Sequence, residues 1–372
     1  REDTPLYFDL TDEQEAIRAN ACDFLASRFK SDRMREIAGS DDGTDEQGWN
    51  EMAELGWAGL ALPEEWGGQG LGIVDLAVLF EEMGYALAPS PLFSNTVVGL
   101  ALARGGSDEQ KERWLRPLAE GTARGTQAMV DAGSTGTPGA YPMVAKTDEG
   151  GDGIVLDGKK QLVADAAGAA FFLVATADGR RHIVPADADG VSVSPQISID
   201  TTRRLSTVNF DGVRVPVDQP LPALGAEFQR VYLLGAVALA AESTGVGQRT
   251  LKMAVAYAKD RQQFGRPIGT YQAVSHRCAQ MLLETENSRS AVYGAAWAAD
   301  ADPDALPLSA SMAKASASDA GWRVPDASIQ VHGGIGFTWE HDLHFFLKRG
   351  RANASMYGDA RWHREQVAKR VL

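Results

Sequence analysis

Arg261, Gln263 and Phe264 close a long helical pattern, directly before Gly265 and shortly ahead of Tyr271-Gln272. They place a guanidinium, an amide and an aromatic face around a glycine turn. A guanidinium clamps pyrophosphate oxygens with paired charge-assisted hydrogen bonds, while Phe264 offers a face to a purine and Gln263 an amide to its edge. Taken alone, Arg261-Gln-Gln-Phe-Gly265 also fits a plain helix end, with Phe264 in the core and Gly265 as the stop. A second stretch, Gln330-Val-His-Gly-Gly-Ile-Gly336, favours the ligand reading. Its glycines exceed what stopping a helix needs and suit backbone N–H groups laid against an anion.

Other reactive side chains have quieter readings. His332 fits a satisfied structural histidine. His341 and His344 share a helix face without a Glu or Cys at ligand spacing, so no metal site is expected. Cys22 and Cys278 lie far apart in helical patterns and form no redox or metal motif, which fits a reducing cytoplasm. Glu242 interrupts an otherwise apolar helix, and a buried carboxylate requires a partner. It reads as half of a salt bridge, or as a general base.

These residues need three kinds of scaffold. Residues 1–122 read as an all-helical domain: Thr11-Asp-Glu-Gln14 caps a first helix, and helical spacing recurs at Trp49 to Leu55, Val74 to Tyr85, Phe93 to Ala103 and Asp108 to Leu118. Residues 123–224 change to a period near two, as in Phe171-Phe-Leu-Val-Ala-Thr176, with Asp-Gly turns at 178, 189 and 211, and form a β-barrel or sandwich. Residues 225–372 return to long helical runs at Phe228 to Lys259, Gln272 to Asp300, Leu308 to Gln330 and His341 to Tyr357, an antiparallel four-helix bundle. The fold class is α+β.

The 372 residues carry a net charge of −14, with 44% apolar and 23% charged side chains. Bulk electrostatics therefore oppose nucleic acids and anionic membranes, and an anionic ligand must be met by locally placed arginines. No run reaches the roughly 18 to 20 apolar residues of a membrane helix. A cytoplasmic protein without a membrane span is expected.

Four ordered motifs resemble the flavin-dependent acyl-CoA dehydrogenase family along the whole chain: Leu10-Thr-Asp-Glu-Gln14, Gly59-Leu-Ala-Leu-Pro-Glu-Glu-Trp-Gly-Gly-Gln-Gly70, Arg261-Gln-Gln-Phe-Gly-Arg-Pro-Ile268 and Gln330-Val-His-Gly-Gly-Ile-Gly-Phe-Thr-Trp-Glu340. The resemblance implies the same order of helical domain, β domain and bundle. It also implies FAD held between subunits, an acyl-CoA substrate and an electron-acceptor flavoprotein. Carried over by motif, Arg261, Gln263, Phe264, Gln272, Gln330, Gly333 and Gly334 contact the FAD of a neighbouring subunit.

The flavin-ring side departs from the family pattern. Val130 to Gly139 stands where a Thr-Glu-Pro-like segment is usual, and Leu162 and Ala164 replace the indole and hydroxyl that follow a Gly-x-Lys turn. The family's base positions fall on Gly358, in Met356-Tyr-Gly-Asp-Ala360, and on Gly235. The resemblance thus implies the base-lacking subunit of an α2β2 heterotetramer with a homologous subunit, incomplete as an enzyme by itself. The alternatives are a homotetramer using Glu242 or Asp359 as base, or a flavin-free interaction subunit. Heteromeric relatives often handle bulky thioesters such as those of sterol side chains.

Overall fold

The computed structural model describes residues 9–40, 43–134, 139–148, 150–151, 153–216, 220–222 and 225–372. Helices come first: α1 (Asp12–Arg28), α2 (Ser31–Gly39), α3 (Glu46–Glu54), α4 (Ile73–Ala86) and α5 (Leu92–Gly105). The Thr11 hydroxyl accepts from the Gln14 N–H at 3.3 Å, and the Gln14 side chain accepts from the Thr11 N–H at 3.1 Å. This reciprocal pair satisfies two donors that the start of α1 leaves free. The run expected as one helix from Asp108 to Leu118 is instead α6 (Asp108–Gln110), a π turn at Lys111–Leu115 and α7 (Arg116–Ala119), with Pro117 inside the first turn of α7.

Two sheets follow. β1 (Gly125–Ala128) pairs in parallel with β5 (Phe171–Ala175), which pairs antiparallel with β6 (Arg181–Pro185). The second sheet runs β2 (Val130–Asp131), β4 (Gly153–Ala164), β8 (Leu205–Pro216), β7 (Val191–Pro195), with β3 (Ala145–Thr147) also on β4. β5 shows why the period-two signal fades where it matters most. Phe172 and Val174 face the inter-sheet core with Val208 and Phe210, while Phe171 and Leu173 face the helical core. A strand buried on both sides reads as an unbroken apolar run.

The last part holds α8 (Ala226–Asp260), a small hairpin of β9 (Gln262–Gln263) and β10 (Arg266–Pro267), then α9 (Gln272–Ala301), α10 (Leu306–His332), α11 (Leu343–Ser355) and α12 (Ala360–Val371). α8 runs against α4 in backbone contact: a Cβ on Gly84 would stand 1.9 Å from the Glu242 carbonyl oxygen, and one on Gly245 1.9 Å from that of Glu81. The helical reading that ended near Tyr357 stopped short of α12. Among α12's residues only His363 is buried, so it carries no apolar stripe to betray it. It starts instead on a local signal, the Asp359 carboxylate accepting from the Trp362 N–H at 2.7 Å.

Candidate functional site

The two glycine-bearing motifs meet at one end of the bundle. Tyr257, one turn before Arg261 on α8, stacks on His332, which directly precedes Gly333; the ring centroids are 4.4 Å apart. His332 is buried and its Nδ1 lies 2.8 Å from the Ser328 carbonyl, a structural role. Phe264 is not in the core: it is 93% exposed at the tip of the β9–β10 hairpin, followed by Gly265. Both tip residues are left-handed, with φ of 52° at Phe264 and 78° at Gly265. That conformation suits Asn-Gly and strains an aromatic residue. Arg261, Gln263, Gln272 and Gln330 are exposed around it.

Gly334 adds an independent sign. Its neighbours each have an internal reason: Gly333 has φ 66°, and a Cβ on Gly336 would meet the Ile329 carbonyl at 2.9 Å. Gly334 needs no left-handed φ, and nothing in the chain lies within 4 Å of a Cβ built on it. The space above it is open to something outside the chain.

A cavity of about 330 Å³ lies at the other end of α8. Leu162, Ala164, Tyr141, Tyr232 and Tyr357 are among its walls. Leu162 sits at a register slip of β4 with φ 56°, and its N–H donates to the Gln196 side chain at 2.9 Å. The Ala164 carbonyl accepts from the Thr126 hydroxyl at 2.7 Å. Both positions therefore contribute no polar side chain to this wall. Beside them, buried Lys160 donates to Asp131 at 2.8 Å and to the Met129 carbonyl at 3.1 Å, tying β2 to β4. Burial pulls the Lys160 ammonium below its usual pKa against the pull of Asp131. Of the stretch 130–139, expected to face the flavin, residues 135–138 lie outside the described residues.

Tyr357 and Gly358 exchange the places expected from the motif. A Cβ on Gly358 would face α12, 2.8 Å from the Trp362 ring and 2.9 Å from His363 Nε2, whereas Tyr357 lines the cavity. Gly358 is left-handed at φ 84° and Asp359 caps α12. The cavity-facing position is thus Tyr357, a correction of one residue. The second expected base position lies beside it: a Cβ on Gly235 would stand 2.6 Å from Tyr357 Cε1.

Glu242 is 2% exposed and is not among the cavity's lining residues. Its carboxylate accepts from Arg203 at 2.7 Å, from Asn353 at 3.2 Å and from Arg349. Arg349 in turn donates to Asp200 at 2.7 Å and to Thr202 at 2.6 Å, and Arg203 donates to Asn353 at 2.7 Å. Burial raises the Glu242 carboxyl pKa, but Arg203 and Arg349 outweigh that and hold it below the ordinary value. The group is a saturated link between the segment before β8, α8 and α11. The sequence announced Glu242's need for a partner but not which residues would meet it. Asp359 is committed to capping α12. Among the described residues no group of three or more His, Cys, Asp or Glu is placed to hold a metal, and no helix is long and apolar enough to cross a membrane.

Comparison with known proteins agrees with this layout. Residues 11–122 match the acyl-CoA dehydrogenase N-terminal domain family and residues 230–372 the acyl-CoA dehydrogenase C-terminal domain family. The chain is 31% identical over 355 residues to the acyl-CoA dehydrogenase IpdE2 of Mycolicibacterium smegmatis, covering 95% of this chain and 96% of the relative. Among solved structures it is similar to the Tcur3481-Tcur3483 steroid ACAD, with TM-score 0.87, 32% identity and coverage of 96% and 97%. It also resembles the ChsE4-ChsE5 complex from Mycobacterium tuberculosis, with TM-score 0.90, 25% identity and coverage of 98% and 99%. Matched at both helical regions and along nearly its whole length, the chain belongs to the acyl-CoA dehydrogenase family of FAD-dependent oxidoreductases.

Proposed function

We propose that this chain is the base-lacking subunit of a heteromeric acyl-CoA dehydrogenase, and that it completes the FAD site of a homologous partner. The observation that carries the reading is the separation of its two half-sites along α8. From Gly235 to Arg261 the helix axis advances about 39 Å at 1.5 Å per residue, farther than one FAD can reach. A clamp at the Arg261 end therefore serves a cofactor bound mainly elsewhere.

The residues at that end fit the adenosine and pyrophosphate of FAD. Exposed Phe264 offers a face, Arg261 a fixed charge, Gln263, Gln272 and Gln330 amides, and Gly333-Gly334 an open backbone. FAD, when bound, supplies the hydride acceptor for α,β-desaturation of an acyl-CoA thioester. The proton taken in that step needs a carboxylate within hydrogen-bond reach. In this chain Tyr357 and Gly235 hold the two base positions, Glu242 is saturated by two arginines and Asp359 caps a helix, so the partner supplies the base. Likeness to a two-component complex and to a steroid ACAD supports a heteromer acting on a bulky acyl group, with an electron-acceptor flavoprotein as the onward partner.

The test is co-expression with a homologous subunit, followed by a count of flavin per chain. One FAD per unlike pair is expected. A homotetramer carrying one FAD per chain and reducing it with acyl-CoA would overturn the reading.

A further inference from the structure

The cavity of this chain ends in an unusual wall. Tyr357 is buried in the left-handed region, φ 54°, where a bulky aromatic residue persists only if its surroundings hold it. The frame that holds it is complete. His363 Nε2 lies 2.8 Å from the Tyr357 carbonyl, so the Nε2–H tautomer donates to it. Lys314, itself buried, donates to the next carbonyl, that of Gly358, at 3.0 Å, and also to the Asn353 carbonyl and the Ser318 hydroxyl. Asp359 then fixes the start of α12.

The frame aims the ring rather than merely closing a turn. Phe93 meets it edge-on at 5.5 Å, Tyr232 lies tilted against it at 5.0 Å, and its hydroxyl donates to the Gln127 side-chain oxygen at 3.3 Å. On the remaining side stands Gly235, where any Cβ would intrude on the ring. One large ring lines the cavity, and behind it the absence of a side chain at Gly235 makes room for that ring.

We infer that Tyr357, seated against Gly235, is a steric stopper that denies an acyl chain entry to this subunit's own cavity, so that acyl-CoA enters only the partner's pocket. This rests on the proposed division of labour between unlike subunits. A ring at this position selects by exclusion, which a missing base alone does not. A pocket without a base would still bind acyl-CoA and hold it unproductively.

The experiment uses the full chain and a fluorescent acyl probe, 11-(dansylamino)undecanoic acid. Tyr357→Ala is expected to bind the probe at least tenfold more tightly than the native chain, while Tyr357→Phe, which keeps the ring, binds as the native chain does. Gly235→Leu in the Tyr357→Ala background refills the space and should return binding to the native level, which places the site. Tyr357→Leu, a smaller change, serves if the alanine variant loses its helical circular dichroism, with an intermediate gain expected. Equal affinity in the native and folded Tyr357 variants, tight binding that persists after the refill, or a loss of binding on removing the ring would each overturn the inference. Because flavin per chain is counted separately, failure of the stopper and failure of the heteromer are distinguishable.

Discussion

Gly235 and Tyr357 share one volume: a methyl group on the first would stand 2.6 Å from Cε1 of the second. Gly235→Ala should therefore act as an overpacking change and cost about 1–3 kcal/mol in a urea titration. The cost should largely vanish when Tyr357 is also Ala, giving a coupling of about 0.5–3 kcal/mol. Additive effects would show that the two sites do not meet.

Glu242 links Arg203 and Arg349 in a buried group that includes Asp200. Glu242→Gln leaves Arg203 without its charge partner and Arg349 with Asp200 alone, and should lower stability by about 3–5 kcal/mol. The fraction that remains folded in the assembled enzyme should still show flavin reduction by acyl-CoA. Normal stability with reduction abolished would make Glu242 the base.

Phe264 at the hairpin tip predicts a stability change and a function change of opposite sign. Phe264→Asn relieves a left-handed aromatic residue ahead of Gly265, and should stabilise the isolated chain by about 0.5–1 kcal/mol. The same variant should lose FAD from the assembly, as should Arg261→Ala, whose exposed side chain leaves chain stability within about 0.5 kcal/mol. Thermal denaturation and flavin content after gel filtration read the two effects. FAD retention by both variants would remove the clamp assignment.

His182 and His363 are buried, and burial lowers each to about 4 from the usual 6.5. Between those values the unfolded chain binds more protons than the folded one, so stability falls as pH drops from about 6.5 towards 4. Each contributes up to about 3 kcal/mol of that loss. His363→Gln should flatten the slope of stability against pH over this window. An unchanged slope would mean His363 is protonated in the folded state.

Much of this arrangement was legible in the chain. The switch from helical to alternating spacing located the sheets, and the surplus of glycines after Gln330 drew attention to Gly334, which has no internal neighbour within 4 Å of a built Cβ. What escaped reading depends on partners distant in sequence. Arg203, Arg349 and Asn353 converge on Glu242 from separate elements, and no local pattern joins them. The shift of the cavity-facing position from Gly358 to Tyr357 turns on backbone conformation: left-handed Gly358 is set against α12, and Tyr357 lines the cavity. Phe264 was ambiguous for the same reason, because core and tip differ in φ and not in residue type.

α8 carries the proposed clamp at one extremity and borders the cavity towards the other, with a continuous stretch of helix between. Under the proposed division of labour, a duplicated copy of such a protein forfeits its chemistry step by step and is still indispensable to its sibling, whose cofactor it continues to shelter.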